Sequence, residues 1–189
     1  MRPDRVDAGA LLLTPGAGAG RDQRTLLAVE QAVSPLPCER MDFPYRLAGR
    51  RVPGRPGDSI AAVVAQAAAL AGRVGIEPGR LVLGGRSYGG RMCSLAVAQG
   101  LPAAGLVLLS YPLHPPGRPE RLRTEHFPDI GVPVLFVSGS SDPFGSPTEF
   151  DREVAAVRGP VTQIRVAGGH DPRGLVEIGR VVTDWIASL

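Results

Sequence analysis

Apolar positions along this 189-residue chain follow two alternating patterns. Short runs rich in Val, Leu and Ile are bounded by Gly, Pro or Ser. Between them lie longer stretches whose apolar positions recur every three or four residues. The short runs have the length and composition of buried strands, and the longer ones have the period of helices that bury one face. They predict strands over residues 8–14, 41–45, 81–84, 105–110, 132–138 and 161–167. Helices are predicted over 21–34, 58–74, 88–99, 147–157 and 172–188. Such regular alternation predicts an α/β fold, a parallel sheet with helices on both faces in three layers. The length suits one domain, 1–189, with a full-sized core. Asp58 reads as the N-cap of the Ala-rich second helix, and Trp185 on the last helix reads as core packing.

Composition narrows the functional classes. No stretch of 18 or more apolar residues occurs, so no membrane-spanning helix is expected. The start, Met1-Arg2-Pro3-Asp4-Arg5, is too polar for a secretory signal. Cys38 and Cys93 form neither a disulfide framework nor a metal-ligand spacing, and Cys93 reads as a small buried residue. These features suit a reducing cytoplasm. All 21 basic residues are arginine and the net charge is only +3. This is the signature of a GC-rich bacterial genome rather than of nucleic-acid binding, and no nucleic-acid motif accompanies it. Neither a nucleic-acid nor a membrane partner is expected.

The chemistry begins at residues 84–91, Gly-Gly-Arg-Ser-Tyr-Gly-Gly-Arg, between the apolar run 81–83 and a helix that starts near Tyr88. This places a G-x-S-x-G element, with Ser87 at its centre, on a strand-to-helix turn, the context of a nucleophile elbow. A serine nucleophile needs a base, and the base needs an orienting acid. His170 lies in a loop after the strand 161–167, and Asp142 in a Ser-Gly-Ser-Ser-Asp-Pro loop after the strand 132–138. All three residues fall at C-terminal ends of predicted parallel strands, where open α/β sheets place their ligands. Their order, Ser87, Asp142, His170, is the order of α/β hydrolases. Blander readings exist for each: a capped tight turn at Ser87, an Asx turn at Asp142, a structural histidine at His170. Their coincidence in order and position favours a triad. Asp171 is a rival acid, although adjacent side chains seldom face each other. His114 is a rival base that precedes the acid and so fits the order badly.

With these loops in hand, the chain resembles the small, lid-less α/β hydrolases close to dienelactone-hydrolase-like proteins. It is also similar to bacterial hydrolase-like proteins related to a subunit of the non-specific-lethal chromatin complex. The matching stretches are residues 13–18, 43–46, 84–91, 111–117 and 138–144; Tyr-Pro-Leu-His-Pro-Pro-Gly at 111–117 is the most specific. The resemblance implies that the backbone amides of Ala17 and Tyr88 form the oxyanion hole. Relatives usually carry His-Gly where this chain has Pro15-Gly16, and proline cannot donate from its nitrogen. The usual fold begins with two further strands, so a six-stranded sheet ordered 2-1-3-4-5-6 is expected. The interval usually occupied by a lid is the short, proline-rich stretch 111–131, which implies an open site with no separate lid domain. Dienelactone hydrolases proper use a cysteine, whereas this chain has serine.

The expected activity is hydrolysis of a small carboxylic ester or thioester, with no metal and no cofactor. Acyl transfer is the alternative within the enzymes, and a non-catalytic interaction module on the same fold is the alternative outside them. Residues 46–55 carry Arg46, Arg50, Arg51 and Arg55 on a loop expected at the catalytic edge. They read either as a solvated arginine loop or, with His114, as groups holding a substrate carboxylate or phosphate. Arg86 is expected to be tied to a carboxylate such as Asp42.

Overall fold

The computed structural model describes residues 8–189. The polar start at residues 1–5 lies outside them. Six parallel strands form one sheet: β1 (Ala10–Thr14), β2 (Cys38–Arg40), β3 (Leu81–Arg86), β4 (Gly105–Leu109), β5 (Val134–Gly139) and β6 (Val161–Val166). Their order is β2-β1-β3-β4-β5-β6, as expected. The central register sets Thr14 beside Gly85 and Arg86 beside Leu109.

Helices cover both faces: α1 (Arg24–Val33), α2 (Pro44–Leu47), α3 (Pro56–Val74), α4 (Tyr88–Ala98), α5 (Pro147–Glu153) and α6 (Leu175–Ile186). Strand residues alternate between two cores, because successive side chains point to opposite faces. Leu11, Leu13, Val107 and Val137 meet α1 and α6 through Leu26, Val29, Ile178, Val182 and Trp185. Leu12, Leu83, Leu108 and Phe136 meet α3, α4 and α5 through Val63, Leu70, Met92, Cys93 and Phe150. Among the described residues no helix is long and apolar enough to cross a membrane.

The strand expected over 41–45 is corrected. β2 is Cys38–Arg40, and the alternating apolar residues Met41, Phe43 and Tyr45 belong to a loop and to α2. Pro44 takes the first turn of that helix, where its missing N–H costs nothing. β2 escaped notice because it is an edge strand whose residues Glu39 and Arg40 are polar. Asp58 is likewise not an N-cap: α3 begins at Pro56 after Arg55, and Asp58 lies in the first turn. There its charge still favours the helix dipole.

Candidate active site

The elbow is built by sterics. Ser87 has φ 53° and ψ −114°, a left-handed conformation rare for a residue with a Cβ. Its amide donates to Leu109 O at 2.8 Å, which anchors the turn to the neighbouring strand. A Cβ on Gly89 would lie 2.5 Å from Thr14 O and Thr14 Oγ1, and one on Gly85 would lie 2.7 Å from Gly90 N. Only glycine lets β1, β3 and α4 approach this closely. Beneath the turn, buried Thr14 donates from Oγ1 to Gly84 O at 3.0 Å.

The structure brings Ser87, His170 and Asp142 together. His170 Nε2 lies 2.9 Å from Ser87 Oγ, and its Nδ1 lies 2.9 and 3.1 Å from the two Asp142 oxygens. A carboxylate only accepts, so Nδ1 carries the proton and Nε2 is left to accept from the serine hydroxyl. Asp142 is 4% exposed, and its Oδ1 also accepts from Phe144 N at 2.9 Å. The Asx turn considered for Asp142 and its contact with the histidine therefore coexist. Phe144 stacks on the imidazole with centroids 4.0 Å apart, a contact not expected from the sequence. Its only signal was a large apolar residue two places beyond the acid in a polar loop.

Arg86 differs from expectation. Its Nη2 donates to the backbone carbonyl of His170 at 2.6 Å and lies 3.3 Å from Asp171 Oδ1. Asp42 instead accepts from the Arg21 amide at 2.7 Å. The Arg86 side chain is only 13% exposed, and burial lowers its pKa against the pull of Asp171 and Asp142. The residue before Ser87 thus clamps the loop that carries His170. Asp171 is solvent-exposed and pairs with Arg86, outside the Ser87–His170–Asp142 chain.

The first loop is braced from two sides. Tyr45 donates from its hydroxyl to Ala17 O at 2.8 Å, and Gly16 N donates to Gln23 Oε1 at 2.9 Å. Tyr45 and Phe43 also pack edge-on against Tyr88. Among the described residues neither the Ala17 nor the Tyr88 amide donates to a protein acceptor. Tyr88 opens α4, where unpaired amides and the helix dipole favour negative charge.

The remaining candidates lie elsewhere. His114 is buried, with Nδ1 2.8 Å from Pro115 O and Nε2 3.3 Å from Glu149 Oε1, so it holds its own loop against α5. Arg46 donates to Arg50 O at 3.3 Å and lines a cavity that also holds Asp22 and Asp42. Arg50 and Arg51 are exposed. Cys93, like Cys38, has its thiol pushed up to about 12, chiefly by burial, so neither is a thiolate near neutral pH.

A family model for the alpha/beta hydrolase domain matches residues 7–188. The chain belongs to this family. Solved structures agree with the alpha/beta hydrolase fold at low sequence identity. Est1E from Butyrivibrio proteoclasticus aligns with a TM-score of 0.76 at 13% identity, over 98% of this chain and 89% of that one. A monoacylglycerol lipase from Paleococcus ferrophilus aligns at 0.72 and 15% identity, over 95% and 94%. A carboxylesterase from Bacillus cereus aligns at 0.69 and 15%, over 97% and 89%. These likenesses concern the fold, and the alpha/beta hydrolase chain spans nearly all of each.

Proposed function

We propose that this protein is a serine hydrolase that cleaves a small carboxylic ester or thioester through an acyl-enzyme on Ser87. The supporting observation is the unbroken Ser87–His170–Asp142 hydrogen-bond chain at a strained elbow. His170 Nε2 takes the hydroxyl proton as Ser87 Oγ bonds to the carbonyl carbon. The Ala17 and Tyr88 amides hold the resulting oxyanion, and being fixed backbone donors they need no reorganisation. The carbon–oxygen or carbon–sulfur bond then breaks, and the leaving group receives its proton from His170. Water attacks the acyl-enzyme, gives its proton to the same base, and the acid departs as Ser87 is restored. Asp142 holds the tautomer and stabilises the imidazolium. The mechanism calls for no metal or cofactor.

The whole chain acts as one hydrolase domain without a separate lid domain, and a bacterial cytoplasm suits its two free thiols and lysine-free composition. Kinship with dienelactone-hydrolase-like proteins and with the chromatin-complex subunit rests on residues 13–18, 43–46, 84–91, 111–117 and 138–144, of which 111–117 are the most specific. A fluorophosphonate tests the reading. Intact-mass spectrometry should find one adduct per chain, absent from Ser87→Ala. A folded wild-type protein that stays unlabelled would favour the interaction module instead.

A further inference from the structure

Building on the acyl-enzyme reading of Ser87, we infer that the substrate carries an anionic group, a carboxylate or phosphate, received by Arg91, Arg121 and Arg123. Arg91 lies one turn along α4 from the nucleophile, and its amide donates to Ser87 O at 3.1 Å. Side chains on a helix lean toward its N-terminus, which for Arg91 is the end of α4 at the elbow. Arg121 and Arg123 come from the segment after β4. The three arginines line one cavity of about 520 Å³, with Pro115, Glu120 and Glu125 also in its wall.

The cavity has a firm mount and spare donors. Arg123 donates from its amide to Leu113 O at 2.8 Å, and its carbonyl accepts from the hydroxyl of fully buried Tyr111 at 2.7 Å. Among the described residues Arg91 Nε is buried without a hydrogen-bond partner. Among the described residues none of the three arginines forms an ion pair, whereas Arg40, Arg86 and Arg165 each do. Glu120 and Glu125 are exposed and leave the guanidinium groups unpaired. Burial, then the charges of Arg91 and Arg121, lower the pKa of Arg123, with Tyr111 and Glu125 opposing. The three guanidinium groups outnumber the two exposed carboxylates in the cavity wall, so like charges there repel one another. An oxyanion relieves that repulsion and accepts from the planar forks. Arg50 and Arg51 are the poorer candidates, because both are exposed, whereas Arg91 and Arg123 are half-buried.

The test compares 4-nitrophenyl hemisuccinate, which is anionic, with neutral 4-nitrophenyl acetate. At low ionic strength the ratio of their kcat/KM values should favour the anion, and salt should narrow it. Arg91→Gln and Arg123→Gln should each lower that ratio about tenfold, the loss of one charge-assisted hydrogen bond. A merely structural role lowers both rates and leaves the ratio unchanged, which would overturn the assignment. Circular dichroism checks folding, and exposed Arg121→Gln supplies the comparison if either other variant does not fold. Equilibrium dialysis of inorganic phosphate and of succinate gives a readout independent of catalysis. Wild type should bind at least one of the two and the variants more weakly; binding of neither, or equal binding, would defeat the site. If Ser87 resists the fluorophosphonate and neither ester is cleaved, the acyl-enzyme reading fails while dialysis still decides the arginine site.

Discussion

Asp142 and Arg86 both act on His170, one through its ring and one through its backbone. Asp142 fixes the imidazole tautomer, so Asp142→Asn should lower kcat by about four orders of magnitude, as the wrong tautomer does in serine proteases. Asp171→Asn should have far less effect, because Asp171 is exposed and pairs with Arg86 rather than with His170 Nδ1; ester hydrolysis by the two variants compares the rival acids. Arg86 is a positioning residue. Arg86→Met frees the His170 carbonyl, and a displacement near 1 Å costs about 100-fold. We predict a fall of that order in kcat with a much smaller change in KM, partly restored in Arg86→Lys. Steady-state kinetics on one ester would show it, and an unaltered kcat would remove the clamp. The grouping of Ser87, Asp142 and His170 was legible because each follows an apolar run in a fixed chain order. The clamp was not, because Arg86 and His170 are 84 residues apart and nothing local marks the pair.

The strand–turn–helix of β3 and α4 is the element on which the site depends. Its two flanking glycines were legible as a motif, and the structure shows what they avoid: the β1 backbone and Thr14. Gly89→Ala should therefore destabilise the fold by about 3 kcal/mol, the upper range for overpacking a core. Urea denaturation measures this, and a change below about 0.5 kcal/mol would mean that β1 moves away freely. The edge of the sheet was harder to read. The apolar alternation at Met41, Phe43 and Tyr45 arises from a loop and one short helix, while the true strand is polar. Period-2 alternation reports burial on one side, and three residues are too few to say which backbone carries it. At α5 the opposite holds: Ser146 and Glu149 form a capping box that starts the helix within a residue of expectation.

Packing of the 111–131 segment against α4 carries a pH dependence that belongs to the assembled molecule. His126 is 8% exposed and its Nε2 lies 2.8 Å from Ser94 Oγ. Burial, and next the charge of Arg91, hold its pKa down from 6.5 to about 4, against the pull of Glu125 and Asp129. Between those values the unfolded chain binds a proton that the native state refuses, so stability falls as pH drops. The gap between 6.5 and about 4 sets the loss from pH 7.5 to pH 5 at no more than about 2 kcal/mol. His126→Gln should remove that component from the urea-unfolding profile, and identical slopes in both proteins would contradict it. The parallel sheet with helices on both faces was readable from apolar period, apart from the edge strand β2 and the short α2, because period records which face each segment buries. The meeting of Ser87, Asp142 and His170 was readable because parallel strands deliver their C-terminal loops to one edge. Partner choice across that edge was not: Phe144 on the His170 ring, Arg86 on its carbonyl and three arginines around one cavity are meetings of distant segments. Such meetings are settled by distance and volume once the sheet has formed, and no local pattern encodes them.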